Sequence, residues 1–227
     1  MLELARSMVC PRDEVLRLRQ ADSGPFWQKL PERSAVSYIE RNLAVCYLMQ
    51  GRHVEAARAA AASVEVLPTN SSAFFIQGCC FEEERNSLEQ AAVCHTTAIA
   101  LDPDFKLPYL SLANCRLRQG LYEAANEAAR ACVSRHPDAA AAWFIAGQAV
   151  YQALRRGTAE DWPRAGDARA KHVRLAREAM ETARTKGRAT WSAVEERMLE
   201  YLSMYPDHVE SSETEPVRLW KVHGWRP

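Results

Sequence analysis

The side chains with the greatest potential for chemistry lie between residues 79 and 95, where cysteine, glutamate and histidine occur close together. They are Cys79, Cys80, Glu82, Glu83, Glu84, Cys94 and His95. Thiolates and imidazoles are ligands that zinc prefers, and a carboxylate beside a histidine can support acid–base catalysis. However, the segment lacks a Cys-x-x-Cys pair, and the side chains of consecutive helical residues point apart. We therefore interpret the cysteines as small packing residues and the glutamates as a solvated helix end.

The rest of the sequence offers no other catalytic arrangement. The six histidines lie in separate segments, and the nine glycines are scattered along the chain. A phosphate-binding loop would need several of these glycines close together. No histidine has a partner at a spacing that would support metal binding or the activation of a nucleophile. We expect no catalytic residue, no cofactor, no metal ligand and no enzymatic activity.

The elements that carry these residues show a regular spacing. A small residue, with a large residue four positions before it and another residue three positions after it, occurs at Ala44, Gly78, Ala113 and Gly147. After each of the first three, a set of small residues ends in a proline, and these prolines (Pro68, Pro103 and Pro137) are 35 and 34 residues apart. A period near 34 residues with small residues at helix contacts indicates an array of helix–turn–helix repeats.

This pattern resembles that of the tetratricopeptide repeat family, in which large-x-x-Leu-Gly-x-x-Tyr is followed by Ala-x-x-x-Phe and then by proline. The resemblance implies an all-α fold, a solenoid of helix–turn–helix repeats with a C-terminal capping helix. In the fourth repeat the second-helix residues Ala176, Met180 and Ala183 come about 17 residues late, which predicts an insertion.

The domain boundaries follow from this alignment of the repeats. We expect an N-terminal helical or irregular segment over 1–36 and a repeat array over 37–187, followed by a capping helix over 188–206. Within the array the repeats are predicted at 37–70, 71–105, 106–139 and 140–187. Residues 207–227 form a tail that we expect to be flexible unless it docks.

Composition limits the partners and the compartment. The 29 basic and 29 acidic residues balance, so no overall field favours nucleic acid or a membrane as the partner. No run of 18 apolar residues is present. The seven cysteines form no disulfide-type framework, which favours a reducing compartment. We expect a cytoplasmic protein that binds other proteins, alone or within a larger complex.

The first helices of such repeats line a concave face, where a partner peptide or helix can bind. The expected groove residues, on helix faces not used by contacts within a repeat, are Tyr38, Arg41, Asn42, Val45, Phe75, Ile76, Leu107, Leu110, Asn114, Phe144, Gln148 and Tyr151. Part of this apolar stripe could equally be core. The resemblance implies that Asn114 hydrogen-bonds the backbone of a bound peptide. The sequence therefore indicates a non-enzymatic adaptor, scaffold or assembly factor.

A chaperone cofactor is the first alternative. Chaperone-binding members of the family hold a C-terminal carboxylate with five basic or asparagine side chains. Here Arg41 fits one of these positions, and Val45, Ile76, Leu107 and Ser111 occupy the others. Losing four charge-assisted hydrogen bonds would remove this binding mode.

An RNA-associated repeat protein is the second alternative. Residues 155–188 contain ten Lys or Arg against five Asp or Glu, and a second contact surface is expected at Arg174, Arg177 and Arg184. RNA or an acidic protein could bind there, or the face could simply be solvated. In the tail, Leu219, Trp220 and Trp225 are expected anchors for a partner or for the groove of the chain itself.

Overall fold

The computed structural model describes residues 30–83, 87–156, 166–186 and 192–203. All regular elements in these ranges are α-helices. In chain order they are α1 (Leu30–Met49), α2 (His53–Val66), α3 (Ser71–Glu83), α4 (Leu88–Leu101), α5 (Lys106–Gln119), α6 (Tyr122–Arg135), α7 (Ala140–Arg156), α8 (Gly166–Thr185) and α9 (Ala193–Ser203). The predicted all-α fold of helix–turn–helix repeats is confirmed. The first helix begins at Leu30, seven residues before the predicted start of repeat one.

Prolines end the second helix of each of the first three repeats. The C-terminal cap residues Leu67 and Asp102 have extended backbones, with φ of −135° and −142°. Each precedes a proline, whose ring disfavours helical conformation in the residue before it. His136, which precedes Pro137, also leaves the helical region. The repeated prolines therefore set the length of the second helices.

Glycine closes the turn between the two helices of repeats one and three. Gly51 and Gly120 have φ of 71° and 78°, a left-handed conformation that side chains disfavour. The amide of Arg52 donates to the carbonyl of Tyr47 over 2.9 Å, and that of Gly51 donates to Leu48. These bonds satisfy carbonyls at the end of α1. The turn glycines in the sequence are thus explained by backbone geometry.

The internal contacts divide the chain into two compact units, Met1–Cys115 and Arg116–Pro227. In the first unit, α1 packs on α2, α3 packs on α4, and α2 joins the two pairs through α3. The helix contacts are lined by alanines without solvent exposure, among them Ala44, Ala56, Ala60 and Ala91. Small side chains allow the helix axes to approach closely, so the alanine-rich sequence of α2 serves both helix propensity and packing.

A buried polar network connects the first three helices. Ser37 of α1 and Ser63 of α2 exchange hydrogen bonds with each other's backbone carbonyls over 3.0 and 2.8 Å. The Asn70 amide donates to both hydroxyls over 3.0 and 3.1 Å. All three side chains are buried. Because their polar atoms are paired, the network costs little desolvation and fixes the approach of the helices.

In the second unit, α7 packs on α6 and on α8, and α9 contacts α8 and α7. Ala176, Met180 and Ala183 are buried in its main hydrophobic cluster, as the late-arriving repeat pattern predicts. Met198 and Leu202 of the predicted capping helix also join this cluster. Val194, expected on the same face, is instead 59% exposed. Ser192 and Glu195 form a capping box at the start of α9, which helps to explain where this helix begins.

Candidate functional site

Two helical glycines mark close contacts between the paired helices of repeats two and four. A Cβ atom placed on Gly78 would lie 2.4 Å from Cε1 of His95 on α4. One placed on Gly147 would lie 2.2 Å from Cγ of Met180 on α8. Both glycines therefore serve packing within their own repeats, which confirms the interpretation of the repeated spacing.

The first unit places several predicted groove residues at its surface. Tyr38 of α1 is 50% exposed and Leu107 of α5 is 47% exposed. The guanidinium carbon of Arg41 lies 5.5 Å from the centroid of the Tyr38 ring. Asn114 is exposed, and Asn42, Val45, Phe75 and Leu110 are partly exposed. These side chains remain accessible on first helices whose opposite faces are packed.

Three predicted groove residues are buried instead. Ile76 lies in the alanine-lined core formed by α1, α2 and α3. Phe144 and Tyr151 belong to the main cluster of the second unit, where the ring of Tyr151 meets that of Tyr201 edge to face, with centroids 5.3 Å apart. Helices later in the chain cover these side chains. We therefore correct the predicted set by removing Ile76, Phe144 and Tyr151 from the accessible surface.

The remaining predicted contacts lie in the second unit or outside the described ranges. Gln148 is partly exposed, as is Arg177, and Arg174 is exposed. Arg184 forms an ion pair with Glu196 of α9 over 3.3 Å between exposed side chains, so part of its charge is balanced within the unit. Leu219, Trp220 and Trp225 lie outside the described residues, as does most of the predicted insertion.

A polar cluster that the sequence did not predict lies in the first unit. Oε1 of Glu82 is 2.7 Å from Nε2 of His95, and the His95 ring is fully buried. Glu82, His95 and Cys115 each offer one potential ligand atom, and these atoms lie within 4.8 Å of one another. The interpretation of Glu82 as part of a solvated helix end is therefore wrong. Cys79, Cys80 and Cys94, the cysteines that we weighed with His95, do not belong to this group.

The thiols near this cluster are held in their protonated form. Burial, followed by the negative charge of Glu82, raises the pKa of Cys79 to about 12. Burial also raises the pKa of Cys94. Both thiols are therefore poor nucleophiles at neutral pH. This agrees with their interpretation as packing residues.

Comparison with known proteins identifies the fold. Residues 109–139 match the tetratricopeptide repeat family. MamA from Desulfovibrio magneticus RS-1 is similar in structure, with a TM-score of 0.57 and 16% identity over 74% of this chain and 83% of that chain. YrrB, described as a TPR protein with an unusual peptide-binding site, has a TM-score of 0.52 and 15% identity over 90% and 89% of the two chains. No curated protein matches the sequence of this chain.

The helical pairs, their proline-terminated period and the small residues at their contacts define an all-α repeat protein. The match to residues 109–139 falls within the third predicted repeat, 106–139. The chain is a tetratricopeptide repeat protein. Among the helices that the structure describes, none has the length and apolar character needed to cross a membrane.

Proposed function

We propose that the chain is a non-enzymatic scaffold that binds an apolar peptide or helix of a partner protein. The binding surface is formed in the first unit by the outward faces of α1, α3 and the first half of α5. Its residues are Tyr38, Arg41, Asn42, Val45, Phe75, Leu107, Leu110 and Asn114. The observation that carries the proposal is the exposure of Tyr38 and Leu107, about half of each side chain, on the first helices of two repeats.

The chemistry of this surface favours an amphipathic partner. Partly exposed Val45, Phe75 and Leu110 extend the apolar area around the more exposed rings and chains. Arg41 and Asn114 supply a cation and an amide that can bond to a peptide backbone. Apolar anchors with polar groups around them are typical of peptide-binding grooves. The peptide-binding site of YrrB is consistent with this role for the fold.

The chaperone-type alternative receives less support. One of the positions that would need a polar side chain holds Ile76, which is buried in the core. Another holds the apolar Leu107. A carboxylate placed there would lose its hydration without gaining charge-assisted bonds. We therefore expect acidic C-terminal peptides to bind no better than scrambled ones.

A displayed library of random peptides tests the proposal. The full chain should enrich peptides with apolar anchors, and Leu107→Glu or Tyr38→Glu should weaken a selected peptide by at least about tenfold. Val93→Glu is the matched control, because Val93 is 57% exposed on the second helix α4. The proposal fails if no sequence is enriched. It also fails if both groove variants bind as wild type does, or if the control loses as much affinity.

A further inference from the structure

The Glu82–His95–Cys115 cluster lies where three consecutive helices of the first unit meet. Glu82 comes from the last turn of α3, His95 from the middle of α4, and Cys115 from α5. We propose that this cluster binds one zinc ion through a carboxylate oxygen, an imidazole nitrogen and a thiolate sulfur. The site is independent of the proposed peptide-binding surface.

The distances suit zinc after small side-chain movements. Zinc binds nitrogen and oxygen at about 2.0–2.2 Å and sulfur at about 2.3 Å, so tetrahedral ligand atoms lie roughly 3.2–3.8 Å apart. In the cluster, Nε2 of His95 and Oε1 of Glu82 are 2.7 Å apart, and all three ligand atoms fall within 4.8 Å of one another. Shifts of about 1 Å bring these separations into the range that zinc requires.

Packing alone does not explain a histidine at position 95. The repeat pattern places phenylalanine here, four residues after Ala91, and an aromatic hydrocarbon would fill the space without polar atoms. The His95 side chain is fully buried, and its Nδ1 atom has no hydrogen-bond partner. Buried polar atoms are normally paired, so histidine lowers the stability of this core relative to phenylalanine. A ligand role gives the ring a function that offsets this cost.

Gly78 gives the ring its position. A Cβ atom at residue 78 would lie 2.4, 2.7 and 2.8 Å from Cε1, Nδ1 and Nε2 of His95. The edge of the ring that carries both nitrogens therefore rests on the backbone of α3. Glu82 follows Gly78 by four residues and so lies on the same face, one turn later. This places its carboxylate within reach of the ring.

The surroundings suit a divalent ion of intermediate softness. Cys115 is packed with Ala91 and Ala92, beside Phe81, Leu88 and Leu112, which excludes water on one side. The Glu82 side chain is 20% exposed and leaves a route to solvent, from which water can supply the fourth ligand. A carboxylate and a thiolate together neutralise the two charges of zinc. Mixed nitrogen, sulfur and oxygen donors favour zinc over magnesium or calcium.

Metal titration of the full chain tests the proposal. Protein stripped with a chelator and kept reduced is titrated with zinc chloride by calorimetry, against a competing chelator. We expect about one ion per chain, with release to the buffer of the proton from the Cys115 thiol. Cys115→Ala and Glu82→Gln should each weaken binding by at least about tenfold. Cys132→Ala is the matched control, since Cys132 is a fully buried cysteine on α6 and should bind as wild type does.

Cobalt substitution reports on the sulfur ligand directly. Wild type loaded with cobalt should show a thiolate-to-cobalt absorption band that Cys115→Ala removes and that Cys79→Ala and Cys132→Ala retain. His95→Phe, which restores the aromatic residue of the repeat pattern, should keep the helical circular dichroism and lose the ion. If that variant fails to fold, Glu82→Gln decides, because Glu82 lies at the partly exposed helix end.

Three results would overturn the assignment. They are a folded wild-type protein without stoichiometric zinc, an equal loss of affinity in the Cys132 control, and a thiolate band that survives Cys115→Ala. A band that disappears only in Cys79→Ala would likewise assign the sulfur to the wrong residue.

Discussion

The contact at Gly147 gives a quantitative test of how the fourth repeat packs. A Cβ atom here would lie 2.2 Å from Cγ of Met180 and 3.0 Å from the backbone oxygen of Ala176. Met180 is fully buried, and a helix carbonyl cannot turn away without breaking its bonds. Neither neighbour can move at low cost, so we expect replacement of this glycine to separate α7 from α8.

Two effects of opposite sign determine the size of the change. Alanine in place of a mid-helix glycine stabilises by about 1 kcal/mol through backbone entropy. Overpacking of a closed core costs typically about 1–3 kcal/mol. With both neighbours at close range, we place the overpacking cost of the methyl group near 2 kcal/mol. Gly147→Ala should therefore lower the free energy of unfolding by about 1 kcal/mol, and Gly147→Leu by about 3 kcal/mol.

Urea denaturation followed by circular dichroism measures this change, and a double-mutant cycle assigns its cause. Met180→Ala removes the atom nearest to the added methyl group, although the cavity by itself costs about 2–5 kcal/mol. The alanine at 147 should be less harmful in that background, with a coupling energy of about 1 kcal/mol or more. Stabilisation by Gly147→Ala in the wild-type background would refute the reasoning, because it would mean that the glycine faces open space.

Three further predictions concern the first unit. Gly51→Ala should destabilise by about 1–2 kcal/mol in a urea titration, since φ is 71° although no atom lies within 4 Å of the added carbon; an unchanged midpoint would contradict this. Asn70→Ala should cost about 1–3 kcal/mol in the same assay, because it leaves the buried hydroxyls of Ser37 and Ser63 short of a donor; a loss below about 0.5 kcal/mol would mean that water replaces the amide. Since burial raises the pKa of Cys79 to about 12, its alkylation at pH 8, followed by mass spectrometry, should be slower than that of an unperturbed thiol by a factor on the order of 1,000; a rate close to that of the unperturbed thiol would refute the shift.

The helices could be predicted from the sequence because their signals are local and repeated. Pro68, Pro103 and Pro137 end second helices at a constant interval, and each acts on the residue just before it. Gly78 and Gly147 mark contacts inside single repeats, where the partner helix follows within a short stretch of chain. The start of α1 at Leu30 was missed because residues 30–36 precede the repeat pattern and carry none of its markers.

The candidate groove could be predicted only in part. Helical periodicity identifies a second face on each first helix, and Tyr38, Leu107 and Asn114 do remain exposed on that face. The same periodicity gives Phe144 and Tyr151 an equivalent position in the fourth repeat. It carries no information about which later helices will cover them, because that depends on packing between residues distant in sequence.

The metal-binding cluster shows the same limit from the opposite side. Glu82 and His95 are 13 residues apart and could be suspected from the sequence, but Cys115 belongs to the next repeat. Its thiol resembles the other packed cysteines in every local respect. What distinguishes it is the neighbouring ring that occupies a phenylalanine position, so the informative signal is the departure from the repeat pattern at residue 95. Departures of this kind, and not the conserved spacing of the repeats, are where a solenoid built from similar units acquires an individual site.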